Sequence, residues 1–234
     1  MRLEFTAFQA RCATAGLDLL RVFRRDLCQG AAQLPQFGRP DGVGILLGNT
    51  GALWTPFLQA LRVDPRLAAQ PHPLDAYVMA TVQGALGLIP AATRVLWAHT
   101  TDPPWPVQHV AQVTGLAWLS PSHLSVHPRF GPWLGLRAIV LVDAPDPGVP
   151  QSLPPNPCAT CAQPCIVALN AVCPTGAPPT CARVEDDWQA WLRVRDACPV
   201  GREHRYSDAQ IAYHYTKARK FLVDSNAPAA EGGA

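Results

Sequence analysis

No stretch of this 234-residue sequence reaches the roughly 18–20 consecutive apolar residues that a membrane-spanning helix needs, so no membrane partner is expected. Charge is scarce as well. Only 15% of residues are charged, and 19 Lys and Arg against 17 Asp and Glu leave a formal net charge of +2. So small a balance, with the two signs interspersed, argues against nucleic-acid binding through a basic face. The first twenty residues mix Arg, Glu, Gln and Asp with their apolar positions and lack the apolar core of a secretory leader. The expected location is therefore cytoplasmic. There is no GxGxxG phosphate cradle, no GxSxG nucleophile turn, no HExxH zinc motif and no solenoid-type repeat.

What is present is a hydrophobic share of 48%, enough for a buried core, with 25 prolines, eight cysteines and seven tryptophans. The prolines cluster at Asp102-Pro103-Pro104-Trp105-Pro106 and between Pro145 and Pro157, where they punctuate the chain. Residues 1–29 read as one amphipathic helix using Leu3, Phe8, Leu17, Leu20 and Phe23. Strands are expected over Gly42–Asn49, Arg94–Ala98 and around Ile139–Val142. Helices are expected over Ala52–Leu61, Asp75–Leu88, Val107–Gly115, Trp188–Arg195 and Asp208–Leu222. Strands alternating with helices suggest an α/β or α+β sandwich around one sheet. Pro145–Pro157 reads as a stiff linker, and the small-residue tail Ala227–Ala234 as disordered.

The cysteine segment carries the clearest chemistry. It reads Cys158-Ala-Thr-Cys161-Ala-Gln-Pro-Cys165, followed by Cys173-Pro174, Cys181 and Cys198-Pro199. In a reducing compartment, thiols at such spacing serve metal or redox chemistry rather than disulfides. In ferredoxin-like modules three cysteines come from a tight turn, and a fourth, followed by proline, comes from elsewhere. Cys158, Cys161 and Cys165 supply such a turn and Cys198 the distant partner. Six cysteines are too few for two clusters, so one [4Fe–4S] cluster is expected, with Cys173 and Cys181 left over. Four-cysteine zinc, or cysteines with no ligand at all, would use the same residues. Cys12 and Cys28 have no partner motif and read as small buried hydrophobes.

Two stretches carry a resemblance. Gly115-Leu-Ala-Trp118-Leu-Ser-Pro-Ser-His, then His127-Pro-Arg129-Phe-Gly131-Pro-Trp133-Leu-Gly-Leu-Arg137, is similar to the core of two related groups. One comprises the cobalamin-processing proteins that remove cyanide or alkyl groups from vitamin B12. The other is epoxyqueuosine reductase, a corrinoid and iron–sulfur enzyme acting on transfer RNA, whose ferredoxin module the cysteine run resembles. Arg205-Tyr206-Ser207-Asp208 and the following residues are similar to the cobalamin-processing group.

The resemblance implies an α+β, nitroreductase-like sheet-and-helix sandwich at residues 1–150 with a corrinoid site. A ferredoxin-like cysteine module with C-terminal helices would follow at 151–226, and a tail at 227–234. It places His127, Arg129, Gly131, Trp133 and Arg137 at the corrinoid pocket, and Trp118 is a further candidate for the cofactor site. It also matches Arg195 to an arginine that holds glutathione in animal decyanases. From their own chemistry, His127 reads equally as a cobalt ligand or amide partner or as a turn histidine, Arg129 as a phosphate anchor or surface ion pair, and Trp105, Trp118 and Trp133 as the lining of a flat cofactor or as core. The fold class also admits a flavin. The function expected is a cobalamin-binding reductase fed by the cluster and an unidentified electron donor. The alternatives are an iron–sulfur electron-transfer protein without its own substrate, or an epoxyqueuosine-reductase-like enzyme.

Overall fold

A computed structural model of the chain describes residues 5–28, 33–148, 153–173, 184 and 186–222. Its centre is a four-stranded, wholly antiparallel sheet in the order β1-β2-β6-β3. The strands are β1 (Leu19–Arg24), β2 (Gly42–Asn49), β3 (Thr93–Trp97) and β6 (Gly135–Pro145). A separate two-residue pair, β4 (Trp118–Leu119) and β5 (Ser125–Val126), forms a small hairpin beside it. The absence of parallel pairs in this sheet makes the fold α+β.

β2 is buried at every position because it is an internal strand with both faces covered, which is what its uninterrupted apolar run encodes. Alternation then divides the core into two layers. Val43, Ile45 and Leu47 of β2, with Val140 and Val142 of β6, point to one side. They meet α1 (Thr6–Thr14), α2 (Trp54–Val63) and α4 (Pro73–Leu86) through Phe8, Phe57, Val78 and Val82. Leu46, Ile139 and Leu141 face the other way, against α5 (Val107–Val113), Leu116 and Ala117. On this second side Phe23 lies across Gly44, its cross-strand partner. A Cβ on Gly44 would stand 2.3 Å from the Phe23 ring, so only glycine admits the aromatic there.

The single N-terminal helix expected from residues 1–29 is corrected. α1 stops at Thr14, Gly16 turns the chain with φ +86°, and Leu19–Arg24 becomes the edge strand β1. Ladder hydrogen bonds to β2 and burial of Leu19, Val22 and Phe23 outweigh the helical spacing of the apolar residues. A short α3 (Pro65–Ala69), N-capped by Asp64, links α2 to α4.

In the cysteine segment, α6 (Pro164–Val172) packs on α7 (Trp188–Asp196) around Cys165, Leu169, Cys173, Trp191 and Val194. α8 (Asp208–Thr216) follows, with the Ser207 hydroxyl accepting from the Gln210 N–H as its N-cap. The helix expected to reach Leu222 ends at Lys217, whose φ of +56° stops it before a single 3-10 turn. Among the described residues from 153 onward there are helices and turns and no strand, so the ferredoxin-like character of this segment is not visible in its backbone. Cys181 and the tail Ala227–Ala234 lie outside the described residues.

Candidate functional site

Three sequence features build the cysteine turn. The Asn156 carboxamide accepts the Cys158 N–H at 2.9 Å and closes a tight turn. Gln163 adopts φ +56° and reverses the chain, and its N–H points at Cys161 Sγ, 3.3 Å away. Pro164 then starts α6, which places Cys165 in the first helical turn. Cys198 comes from the far side, two residues past the end of α7, with its N–H on the Arg195 carbonyl.

These four thiols meet. Cys158, Cys161, Cys165 and Cys198 line one small cavity together with Pro199 and Val200. Its remaining wall is the hairpin side of the core, formed by Ser120, Ser122, Leu124 and Val126. Cys165 and Cys198 are buried at 8% and 9% exposure, while Cys158 and Cys161 are half-buried at the mouth. Burial pushes the Cys158 thiol up, and the other three cysteines push it further. Cys198 is raised chiefly by burial, then eased down by the Val200 N–H. Cys158 and Cys198 would give up their protons on binding a cation. Among the described residues no group of three or more His, Cys, Asp or Glu is spaced to hold a single metal ion. Cys173 lies apart in the α6–α7 core.

The residues expected at a corrinoid pocket are brought near one another but are largely engaged. His127 and Gly131 exchange backbone hydrogen bonds across a tight turn, at 2.8 and 2.9 Å. His127 Nδ1 accepts the N–H groups of Arg129 and Phe130 at 3.0 and 3.2 Å, which is the turn-histidine role. Burial, then the neighbouring Arg129 charge, lower its pKa and keep the ring neutral. Arg129 is exposed and lies over the Phe130 ring. Trp133 is 1% exposed and packs on Tyr206 and Ile211. Arg137 donates to Asn49 Oδ1 at 2.6 Å and stands 3.9 Å from Asp75, with burial lowering its pKa. Trp118 is half-buried, and its Nε1 has no hydrogen-bond partner among the described residues.

Arg195 does something the sequence did not suggest. Its guanidinium donates to the carbonyls of Pro132 and Leu134, at 3.0, 2.6 and 3.3 Å, while stacking over Trp133. It therefore ties α7 to the start of β6. Arg219 is likewise occupied, donating to the Ala68 and Gln70 carbonyls. Beside Arg195 runs an open groove of about 260 Å³, lined by Val107, Gln108, Ser125, Pro132, Leu134 and Leu136 among others. Leu124 lines both this groove and the cysteine cavity, so the two adjoin at that residue.

Sequence reasoning missed the core's share of the cysteine cavity. Ser120 and Ser122, whose hydroxyls are 3.0 Å apart, sit inside the quoted Trp118–His123 stretch, but nothing local links them to cysteines some forty residues later.

Fold and site together define a helix-and-sheet α+β protein with a four-thiol cavity at the junction of its core and its cysteine segment. No family model matches the chain, and no curated protein matches it in sequence. Among solved structures it is similar to a B12-trafficking protein from C. elegans, CblC, a homologue of human MMACHC. The TM-score is 0.65 at 13% identity, covering 93% of this chain and 93% of that one. At that identity the likeness shows a shared fold.

Proposed function

We propose that the chain is a corrinoid-handling redox protein. One [4Fe–4S] cluster on Cys158, Cys161, Cys165 and Cys198 would supply single electrons to the cobalt of a bound cobalamin. The observation that carries this reading is the meeting, at one cavity, of thiols from two stretches far apart in sequence. Four thiols with no nitrogen or carboxylate donor among them suit iron–sulfur chemistry. Cys158, Cys161, Cys165 and Cys198 would hold such a cluster, which would supply one-electron transfer. Zinc would need all four sulfurs at ~2.3 Å from a single centre. The cavity itself encloses about 20 Å³. A cluster therefore requires the turn through Ala159, Thr160 and Ala162, which is exposed, to move outward.

The corrinoid half of the proposal rests on the shared fold with a B12-trafficking protein and on the groove beside the cavity. Apolar walls with Gln108, Ser125 and Arg195 at their edges match a corrin face and its amide rim, and the groove is open enough to take one face of the ring. His127 and Trp133 would support that wall from behind, not touch the cobalt. In this division residues 1–150 form the corrinoid core and 151–226 the electron-supplying module. A second reading, an iron–sulfur electron-transfer protein with no substrate of its own, is favoured by the filled core at the His127–Trp133 turn. Hydroxocobalamin titration of the anaerobically reconstituted protein separates the two. A change in the cobalt absorption bands supports the first, and an unchanged spectrum at saturating protein leaves only the second.

A further inference from the structure

Two glycines on opposite sides of the junction touch backbone to backbone. Gly131, in the His127–Gly131 turn of the core, has φ +57°, and a Cβ there would lie 1.9 Å from the Val200 carbonyl oxygen. Gly201 has φ +66°, and its Cβ would lie 2.3 Å from the Phe130 carbonyl carbon and 2.5 Å from the Gly131 nitrogen. Neither obstacle is the tip of a flexible side chain, so neither can swing aside. The crossing falls three residues after Cys198, within a segment whose Cys198, Pro199 and Val200 all line the thiol cavity. Cys198 is thus held from both sides: by the end of α7 through its own N–H on the Arg195 carbonyl, and by the glycine crossing.

We propose that the Gly131–Gly201 crossing sets the position of Cys198 as the fourth thiolate, making Gly131 a positioning residue for a cluster whose ligands all lie elsewhere in the chain. This rests on the four-cysteine reading. The first three thiols come from one turn and one helix start, so their spacing is local. The fourth has no local link to them. Its distance from them depends on where the Cys198–Gly201 segment docks on the core, and that docking leaves no room for a side chain at either glycine. A side chain at either position pushes the segment away and draws Cys198 out of the cavity.

The test uses the full chain with Gly131→Ala, Gly201→Ala and Gly131→Asn. Asparagine tolerates the left-handed backbone but still carries a Cβ, so it isolates the contact from the backbone preference. Gly84→Ala is the control, since a Cβ at this helical position meets nothing within 4 Å. Cys198→Ser is the reference for loss of the fourth ligand. Iron, sulfide and electron paramagnetic resonance are measured after anaerobic reconstitution, and urea unfolding is followed in parallel. In a second measurement the metal-free chain is oxidised and disulfides joining Cys198 to Cys158, Cys161 or Cys165 are mapped by mass spectrometry.

The expected result is that all three variants at the crossing unfold cooperatively, yet match Cys198→Ser in iron content and in a three-iron resonance signal. Their Cys198 disulfides should fall about tenfold, because a disulfide tolerates little change in Cα separation. The control should match the unaltered protein in iron content, resonance signal and crosslinks, with its urea midpoint raised slightly because alanine favours a helix interior over glycine. Full iron and undiminished crosslinks in the variants overturn the proposal. So does loss of cooperative unfolding in all of them, which assigns the crossing to the fold as a whole. If the unaltered chain takes up no iron yet forms the Cys198 disulfides, and the variants lose them, the cluster reading fails while the positioning role stands.

Discussion

Arg195→Met separates a structural tether from a ligand-holding arginine. The guanidinium makes three hydrogen bonds to the Pro132 and Leu134 carbonyls and stacks on Trp133 at 5.0 Å and Tyr206 at 5.6 Å. Methionine keeps most of the apolar stem but leaves both carbonyls without that donor. A hydrogen bond to a charged group contributes about 1.5–3 kcal/mol, and a partly desolvated cation–π contact about 0.5–2 kcal/mol. Arg195 is half-buried, so water recovers some of the loss. The expected destabilisation is about 2–4 kcal/mol. Urea unfolding followed by far-ultraviolet circular dichroism and by tryptophan fluorescence should give coincident curves, with the midpoint lowered and the slope unchanged. Stability within about 0.5 kcal/mol of the original, the range of an ordinary surface substitution, would refute the tether and return Arg195 to ligand binding.

Three further outcomes follow from the same geometry. Burial lifts Cys12 to about 11 and Cys28 to about 12, so at pH 8 a thiol reagent should modify Cys158 and Cys161 of the metal-free chain while sparing those two; equal rates would contradict their burial. Gly44→Ala should cost about 1–3 kcal/mol by driving a methyl group into Phe23. Phe23→Leu in the same chain should recover part of that loss in the urea midpoint. Burial, then the Arg137, Lys217 and Arg195 charges, hold the pKa of His214 well below its ordinary 6.5, so the folded chain refuses a proton that the unfolded chain accepts. Stability should therefore fall as pH drops below about 6.5, by at most about 1.4 kcal/mol per pH unit from this group. His214→Gln should flatten that slope, and an unchanged slope would remove His214 as its cause.

Features written in short windows were legible from the sequence. The apolar run Gly42–Asn49 is the buried strand β2 with the expected bounds, and Trp188–Arg195 is a helix one residue longer than expected. Cys158, Cys161 and Cys165 line one cavity because a tight turn followed by a proline-started helix is local information, while Cys198 joins them only through the docking of its own segment. What failed to show was tertiary. The N-terminal segment has helical spacing throughout, but pairing with β2 turns its second half into an edge strand. Arg195 has a functional-looking side chain whose donors are taken by the Pro132 and Leu134 carbonyls of another segment, and no sequence window contains both partners. Ser120, Ser122 and Gly131 likewise reach the cysteine cavity or its supports only through the docking of the two parts of the chain.

Electron transfer from the four-cysteine site to cobalt is read out by reducing the anaerobically reconstituted chain and mixing it with hydroxocobalamin, with Cys198→Ser in parallel. The unaltered protein should hold about four irons and four sulfides per chain and shift the cobalt spectrum to the reduced form, with no such shift for Cys198→Ser. Cobalt reduction of equal extent in both proteins, or no spectral change with a fully loaded cluster, would contradict that electron transfer.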